Sequence, residues 1–254
     1  MVLSLRREIN AINISNSLKQ HNKHNNYIMY QYEYPHPSVT TDCVIFGFDG
    51  TKLNVLLIER GIEPYQGRWA FPGGFIKMDE SAEQGALREL REETGLETAY
   101  IRQFHTFSAP ERDPRERVIT IAYYALVRLS EVHGGDDAAR AQWFPIDEVP
   151  PLAFDHDHIL RHATAALRRQ IHFEPVGFEL LPAKFTMKQL QLLYEAILGV
   201  RFDRRNFYSK MRHLGLLTEL TEAVPTANRR DALLYRFNPE RYAELKEKGF
   251  RLEF

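Results

Sequence analysis

The sequence predicts an α/β protein in two parts, a layered α/β sandwich followed by a small winged helix-turn-helix. Three observations carry this. Between Ser38 and Ile171, strand-like runs are interrupted by two stretches of helical spacing, the first of them acidic on one face. The composition then shifts near Glu174-Pro175. Beyond that point the elements run helix, short turn, helix, β-ribbon, the order of a winged helix. The expected divisions are a lead-in over 1–30, the sandwich over 31–173 and the winged helix over 174–254.

Composition sets the outer bounds. A chain of 254 residues, 44% hydrophobic and 26% charged, is an ordinary globular one with room for one large domain or two modest ones. A net charge of −1 forces no global partner, so any basic surface is local. The single cysteine, Cys43, excludes an internal disulfide and a cysteine-rich zinc site, and fits a reducing cytoplasm. Its apolar neighbours in Asp42-Cys-Val-Ile-Phe-Gly-Phe48 make it a buried strand residue. No apolar run approaches the roughly 20 residues of a membrane span, and Met1 to Leu5 is too short for a signal peptide. The expectation is a cytoplasmic protein with no membrane partner.

Taken in order, Met1 to Tyr30 is Asn-rich and poor in apolar residues, a disordered or loosely helical lead-in with Met29 an alternative start. Val39–Phe48 and Leu53–Glu59 are β-branched and apolar, and the intervening Asp49-Gly50 is a hairpin signal. A loop over 61–68 leads through Trp69-Ala70-Phe71 to Pro72-Gly73-Gly74, read as a tight turn whose backbone can approach a ligand. Trp69 and Phe71 belong to the core or a pocket wall, where they could stack on a base. Further strands are expected at Tyr100–Phe107, at Val118–Leu129, apolar enough to be central, and at Ala141–Phe144. Asp157–Ile171 has helical spacing at Ile159, Leu160, Ala163, Ala166 and Leu167. In Phe154-Asp-His-Asp-His158, the alternation favours helix capping by Asp155 or Asp157 over metal ligation by the imidazoles.

The chemistry concentrates in Gly74 to Leu96. Arg88-Glu-Leu-Arg-Glu-Glu93 should lie on a helix closed by Gly95, with Ala82, Ala86 and Leu90 packed on the sheet. Spacings of three and four residues bring Glu89, Glu92 and Glu93 to one side. Three clustered anions cost free energy unless a cation sits among them, and a hard one such as Mg²⁺ or Mn²⁺ prefers oxygen ligands. A lone charge run is usually a solvated helix face, but this one continues a longer pattern.

Gly74, five residues, Glu80, seven residues, then Arg88-Glu89-Leu90-x-Glu92-Glu93-x-Gly95-Leu96 fills every fixed place of the Nudix box. The chain therefore resembles the Nudix hydrolase superfamily over roughly residues 38–171. That resemblance implies the Nudix α/β/α sandwich with a mixed sheet, and hydrolysis of a nucleoside diphosphate linked to another group. It makes Glu89, Glu92 and Glu93 the expected metal ligands, with the Gly74 carbonyl a further one. Arg88 would hold Glu89 in place and Glu80 would close the loop on the helix. The general base is left open among Glu111, Asp113 and Glu116. Arg112-Asp113-Pro114-Arg115 looks like the loop of ADP-ribose-type members, with Arg112, Asp113 and Arg115 as ligand-binding residues for a phosphate or the terminal ribose.

In the C-terminal part, Thr186 can cap a helix ending at Gly199, and Asp203 a second ending at Gly215. Strands at Leu216–Thr221 and Leu233–Phe237 would follow. Ala183 to Phe237 carries ten Lys or Arg against five acidic residues. Arg204, Arg205, Asn206 and Lys210 on the second helix, with Arg229 and Arg230 at the ribbon tip, form the expected contact with double-stranded DNA. A dimer contact with solvated arginines is the plainer alternative. The layout resembles Nudix-related transcriptional regulators. Two readings follow: a pyrophosphohydrolase with a DNA-binding appendage, or a ligand-responsive repressor with little catalysis. Two-fold DNA sites would call for a homodimer.

Overall fold

The computed structural model describes residues 32–96, 100–130, 132, 138–225 and 231–249. The lead-in over 1–30 and the arginines Arg229 and Arg230 lie outside these residues.

Seven strands form one mixed sheet: β1 (Ser38–Phe48), β2 (Leu53–Arg60), β3 (Trp69–Ala70), β4 (Gly73–Phe75), β5 (Ile101–Phe107), β6 (Val118–Leu126) and β7 (Ala138–Pro145). β1 runs parallel to β6 from Ser38↔Val118 to Phe46↔Leu126. On its other edge β1 pairs antiparallel first with β4 (Thr41↔Gly74) and then with β2 (Ile45↔Leu56). β2 in turn carries β3 and β7, and β5 pairs with β6.

Alternation along β1 divides the core between two helices. Cys43 and Ile45, with Leu56, Tyr123 and Ala125, pack under Ala86 and Leu90 of α1 (Ala82–Thr94). Burial drives the Cys43 thiol far above its ordinary value, with Asp42 adding to the effect, so it stays an inert apolar filler. Val44 and Phe46, with Val55, Leu57, Tyr124 and Leu126, face Ile159, Ala163 and Leu167 of α2 (His156–Gln170). This is the α/β/α sandwich.

Local chemistry sets the ends. Ser81 and Gln84 form a reciprocal capping box at the start of α1, and Gly95 closes it at φ 70. In the β1–β2 hairpin the Asp49 carboxylate accepts from the backbone N–H groups of Thr51 and Lys52, while Gly50 takes φ 99.

Three expectations need correction. Gly73-Gly74 is strand rather than turn, because β4 finds a partner in the distant start of β1. β6 stops at Leu126, short of Leu129. Asp155 stands at the N-cap position of α2 without capping it, its side chain being engaged elsewhere, and Asp157 accepts from Leu152 N instead.

After a short 3₁₀ turn (Phe178–Leu180), the C-terminal part comprises β8 (Phe185–Thr186), α3 (Met187–Leu198), α4 (Arg204–Leu214), β9 (Leu217–Val224), β10 (Ala232–Phe237) and α5 (Pro239–Glu247). Its three strands run in the order β8-β10-β9, giving a winged helix. Thr186 and Gln189 make a capping box for α3, Asp203 caps α4, and Gly199 and Gly215 end them in the left-handed region. Neither β8 nor α5 was expected from the sequence; Asn238 caps α5 ahead of Pro239. Leu190, Leu193 and Ile197 of α3 join the same apolar cluster as Val55, Leu57, Leu167 and Ile171, so one core runs through both parts. Among the described residues no helix is long and apolar enough to cross a membrane.

Candidate ligand cleft and nucleic-acid face

A cleft of about 440 Å³ opens beside β4, between α1, the 108–117 loop and the start of α2. Gly74, Glu89 and Glu93 lie on one side of it. The approach is close: a Cβ added to Gly74 would meet Glu89 Oε1 at 2.2 Å. Glu93 is only 8% exposed and accepts Gly73 N–H at 2.8 Å. Burial pushes Glu93 up to about 8, and the nearby charges of Glu89 and Asp42 add to it, against the Gly73 bond. Glu89 is also raised, chiefly by burial.

Arg88 organises the rest of this turn. Its guanidinium binds Glu80 through both Nε (2.9 Å) and NH2 (2.7 Å), and its NH1 reaches Glu89 (2.6 Å) and Glu92 (2.9 Å). Those bonds, foremost the pair from Arg88, hold Glu80 down at about 2. Glu80 also accepts Lys77 N–H, tying the loop to the helix. Glu92 is the outlying member: its side chain is 39% exposed and does not line the cleft. Among the described residues, no three His, Cys, Asp or Glu side chains stand gathered to hold a metal ion; Arg88 NH1 lies between Glu89 and Glu92. The donor set nonetheless suits a hard cation. It offers carboxylate and carbonyl oxygens only, and the buried Glu93 would regain its charge beside a positive partner.

The loop residues divide sharply. Arg112 is buried and committed, with Nε and NH2 on Asp155 (3.1 and 2.7 Å) and NH2 at 3.4 Å from Asp42. Asp113 is equally occupied, accepting from the backbone N, Nε and NH2 of Arg115. Against the upward push of burial, these bonds keep its carboxyl below the ordinary range. Arg115 is presented to the cleft between the rings of Phe75 (5.6 Å) and Phe154 (5.7 Å). Phe154, at φ 52, also lies under Arg60. Of the three candidate bases only Asp113 reaches the cleft; Glu111 is exposed outside it and Glu116 accepts from Ser38.

Sequence reasoning missed Asp42, Arg60, Phe75, Phe154 and His156, all lining the cleft. His156 is buried, stacks on Phe71 and accepts Phe71 N–H on Nδ1 (3.0 Å), which places its own proton on Nε2. Burial holds its pKa below the ordinary imidazole value. Phe71 is thus a pocket-floor residue, and Trp69 packs edge-on against Phe144. The one available signal for His156 was its place in Phe-Asp-His-Asp-His, read as capping.

On the winged helix, α4 buries Phe207 and Met211 and turns Arg204, Arg205, Asn206 and Arg212 outward. Arg204, Arg205, Tyr208, Ser209 and Arg212 surround a shallow depression. Lys210 is half-buried on the same helix. Arg212 is steadied by Tyr235, which in turn donates to Glu219 on β9. A basic face on the second helix of a helix-turn-helix suits a nucleic-acid groove.

Comparison with known proteins gives consistent matches. Residues 36–165 match the NUDIX domain and residues 177–237 the NrtR DNA-binding winged helix domain. The chain is 33% identical, over 83% of its own length and 86% of the relative's, to an ADPR responsive transcriptional repressor of Acinetobacter baylyi. It is 40% identical to an ADP-ribose pyrophosphatase of Methanocaldococcus jannaschii, over 50% of this chain and 73% of that one. Shewanella oneidensis NrtR, solved with a 27mer DNA, superposes with a TM-score of 0.70 at 30% identity, covering 81% of this chain and 95% of that one.

Proposed function

Since the chain belongs to the Nudix family and carries the NrtR winged helix, we propose that it is a DNA-binding transcriptional regulator whose cleft senses ADP-ribose. The observation that carries the reading is the outward basic face of α4 in the same folded unit as the cleft. A relative matched across both parts is itself an ADPR responsive repressor. Paired operator half-sites would be met by a homodimer.

Within the cleft, Arg115, oriented by Asp113, donates to a phosphate oxygen or the terminal ribose, and Phe75 and Phe154 wall the bound ligand. Arg112 also lines the cleft, with its guanidinium shared between Asp155 and Asp42. Glu89, Glu93 and the Gly74 carbonyl would hold Mg²⁺ or Mn²⁺, with Glu92 joining once Arg88 releases it. Such an ion neutralises diphosphate oxygens and lowers the pKa of bound water. A second reading, hydrolysis of ADP-ribose to AMP and ribose 5-phosphate, is favoured by the full set of box carboxylates and by the pyrophosphatase relative. Against rapid turnover, the outer candidate bases stand away from the cleft and Asp113 is occupied by Arg115.

The test is binding of the full chain to duplex DNA from its own upstream region, with and without ADP-ribose and Mg²⁺. ADP-ribose should weaken binding by about tenfold or more, within the usual range of allosteric coupling. Arg204→Ala/Arg205→Ala should abolish specific binding and lower the salt slope by about 2. DNA affinity indifferent to ADP-ribose would sink the regulator reading. AMP formed by the parent protein but not by Glu93→Gln would establish the second.

A further inference from the structure

We infer that α2 is the element that carries ligand occupancy from the cleft to the winged helix, anchored by Asp155 and His156 at its first turn and by Arg168 at its last. This rests on the sensing reading above and adds the route.

Each end of the helix is tied to a neighbouring element. At the first, Asp155 occupies the capping position yet makes no cap bond. Its carboxylate turns to Arg112, taking two bonds from a guanidinium that lines the cleft and is 4% exposed. His156, the next residue, is pinned to the cleft floor by Phe71 N–H and by stacking on the Phe71 ring. The start of α2 therefore cannot move independently of the cleft lining.

At the other end, Arg168 Nε donates to Ile197 O at 2.9 Å. That carbonyl belongs to the last turn of α3, whose final carbonyls have no partner within their own helix. Arg168 NH2 also lies close against Gly199, where an added Cβ would meet it at 3.4 Å. Between the ends, Ile159, Ala163 and Leu167 are buried in the shared core, so the helix is held along its length. The turn after α3 is held as well: the Glu195 carboxylate accepts from Phe202 N, Gln191 and Arg201. A shift of the α3 terminus is thereby passed to α4, which carries the basic face.

The ligand's leverage is competition for Arg112. A phosphate oxygen arriving beside that guanidinium offers the same acceptor chemistry as Asp155, so the paired and released states of Asp155 differ in their affinity for the ligand. That difference is what a population shift requires.

The experiment uses the full chain, ADP-ribose with Mg²⁺, and the upstream duplex. Arg168→Ala should leave the affinity for ADP-ribose and the ligand-free affinity for DNA unchanged. The ratio of DNA dissociation constants with and without ADP-ribose should fall towards one. A merely structural role would not move that ratio selectively, and a variant that keeps the parent's full ratio overturns the inference. Amide exchange on the parent protein gives a second readout that needs neither DNA nor a folded variant. Adding ADP-ribose should change exchange in the last turn of α2 and over Leu198–Phe202. ADP-ribose that binds while those amides stay unchanged overturns the route alone. Failure of ADP-ribose to bind at all overturns the reading of the cleft.

Discussion

Gly74 shows how much a single side chain, by its absence, can hold in place. The Glu89 carboxylate lies where any Cβ at this position would be, 2.2 Å from it. Gly74→Ala should push Glu89 aside and weaken Mn²⁺ binding by about tenfold, equivalent to roughly 1.4 kcal/mol. The fold should survive, because the obstructed group is the far end of a flexible chain. Titration of Mn²⁺ against both proteins, with melting curves alongside, checks this; equal affinities would remove Gly74 and Glu89 from the cation site. The acidic turn was legible because its spacing is local: Glu80, Arg88 and Glu89 stand within one helix and the loop before it, and they do meet. Asp42, Arg60, Phe154 and His156 were not, since they reach the cleft from two strands, a turn and a helix start far apart in sequence. Nor could spacing reveal that Arg112 and Asp113 would spend their hydrogen bonds on neighbours.

At the scale of elements, Thr186 and Asp203 cap their helices as their chemistry demands while Asp155 does not, and the hairpin gives a clean pH test. Burial alone would raise Asp49, but the bonds from Lys52, Thr51 and Asn54 outweigh it and hold it at about 2, against 3.8 ordinarily. A depressed carboxylate stabilises the fold above its unfolded value and loses that contribution as the pH falls through the folded one. Asp49→Ala should therefore be less stable than the parent at pH 7, by on the order of 1 kcal/mol or less given its exposure. The gap should close between about pH 4 and pH 2. Urea unfolding at both ends of that window measures it, and a gap that persists at the acid end would contradict the assignment. What escaped sequence reading at this scale was short and non-local. β4 and β8 are strands only because β1 and β10 lie beside them, and Gly73-Gly74 taken alone reads as a turn.

At the scale of the molecule, one apolar cluster of the described residues runs through both the sandwich and the winged helix. Leu190, Leu193 and Ile197 of the winged helix are fully buried in the cluster that also contains Val55, Leu57 and Leu167. Calorimetry should accordingly record one cooperative transition for residues on both sides of Glu174. Two resolved melting events would mean that the parts fold separately. The composition shift near Glu174-Pro175 falls between the two matched segments, 36–165 and 177–237, and does not mark a gap in the interior. An engineer wishing to transplant this sensor onto a foreign reading head would find no seam to cut along. The graft would have to bring α3 with it as a floor, or expose an oily wound that invites clumping.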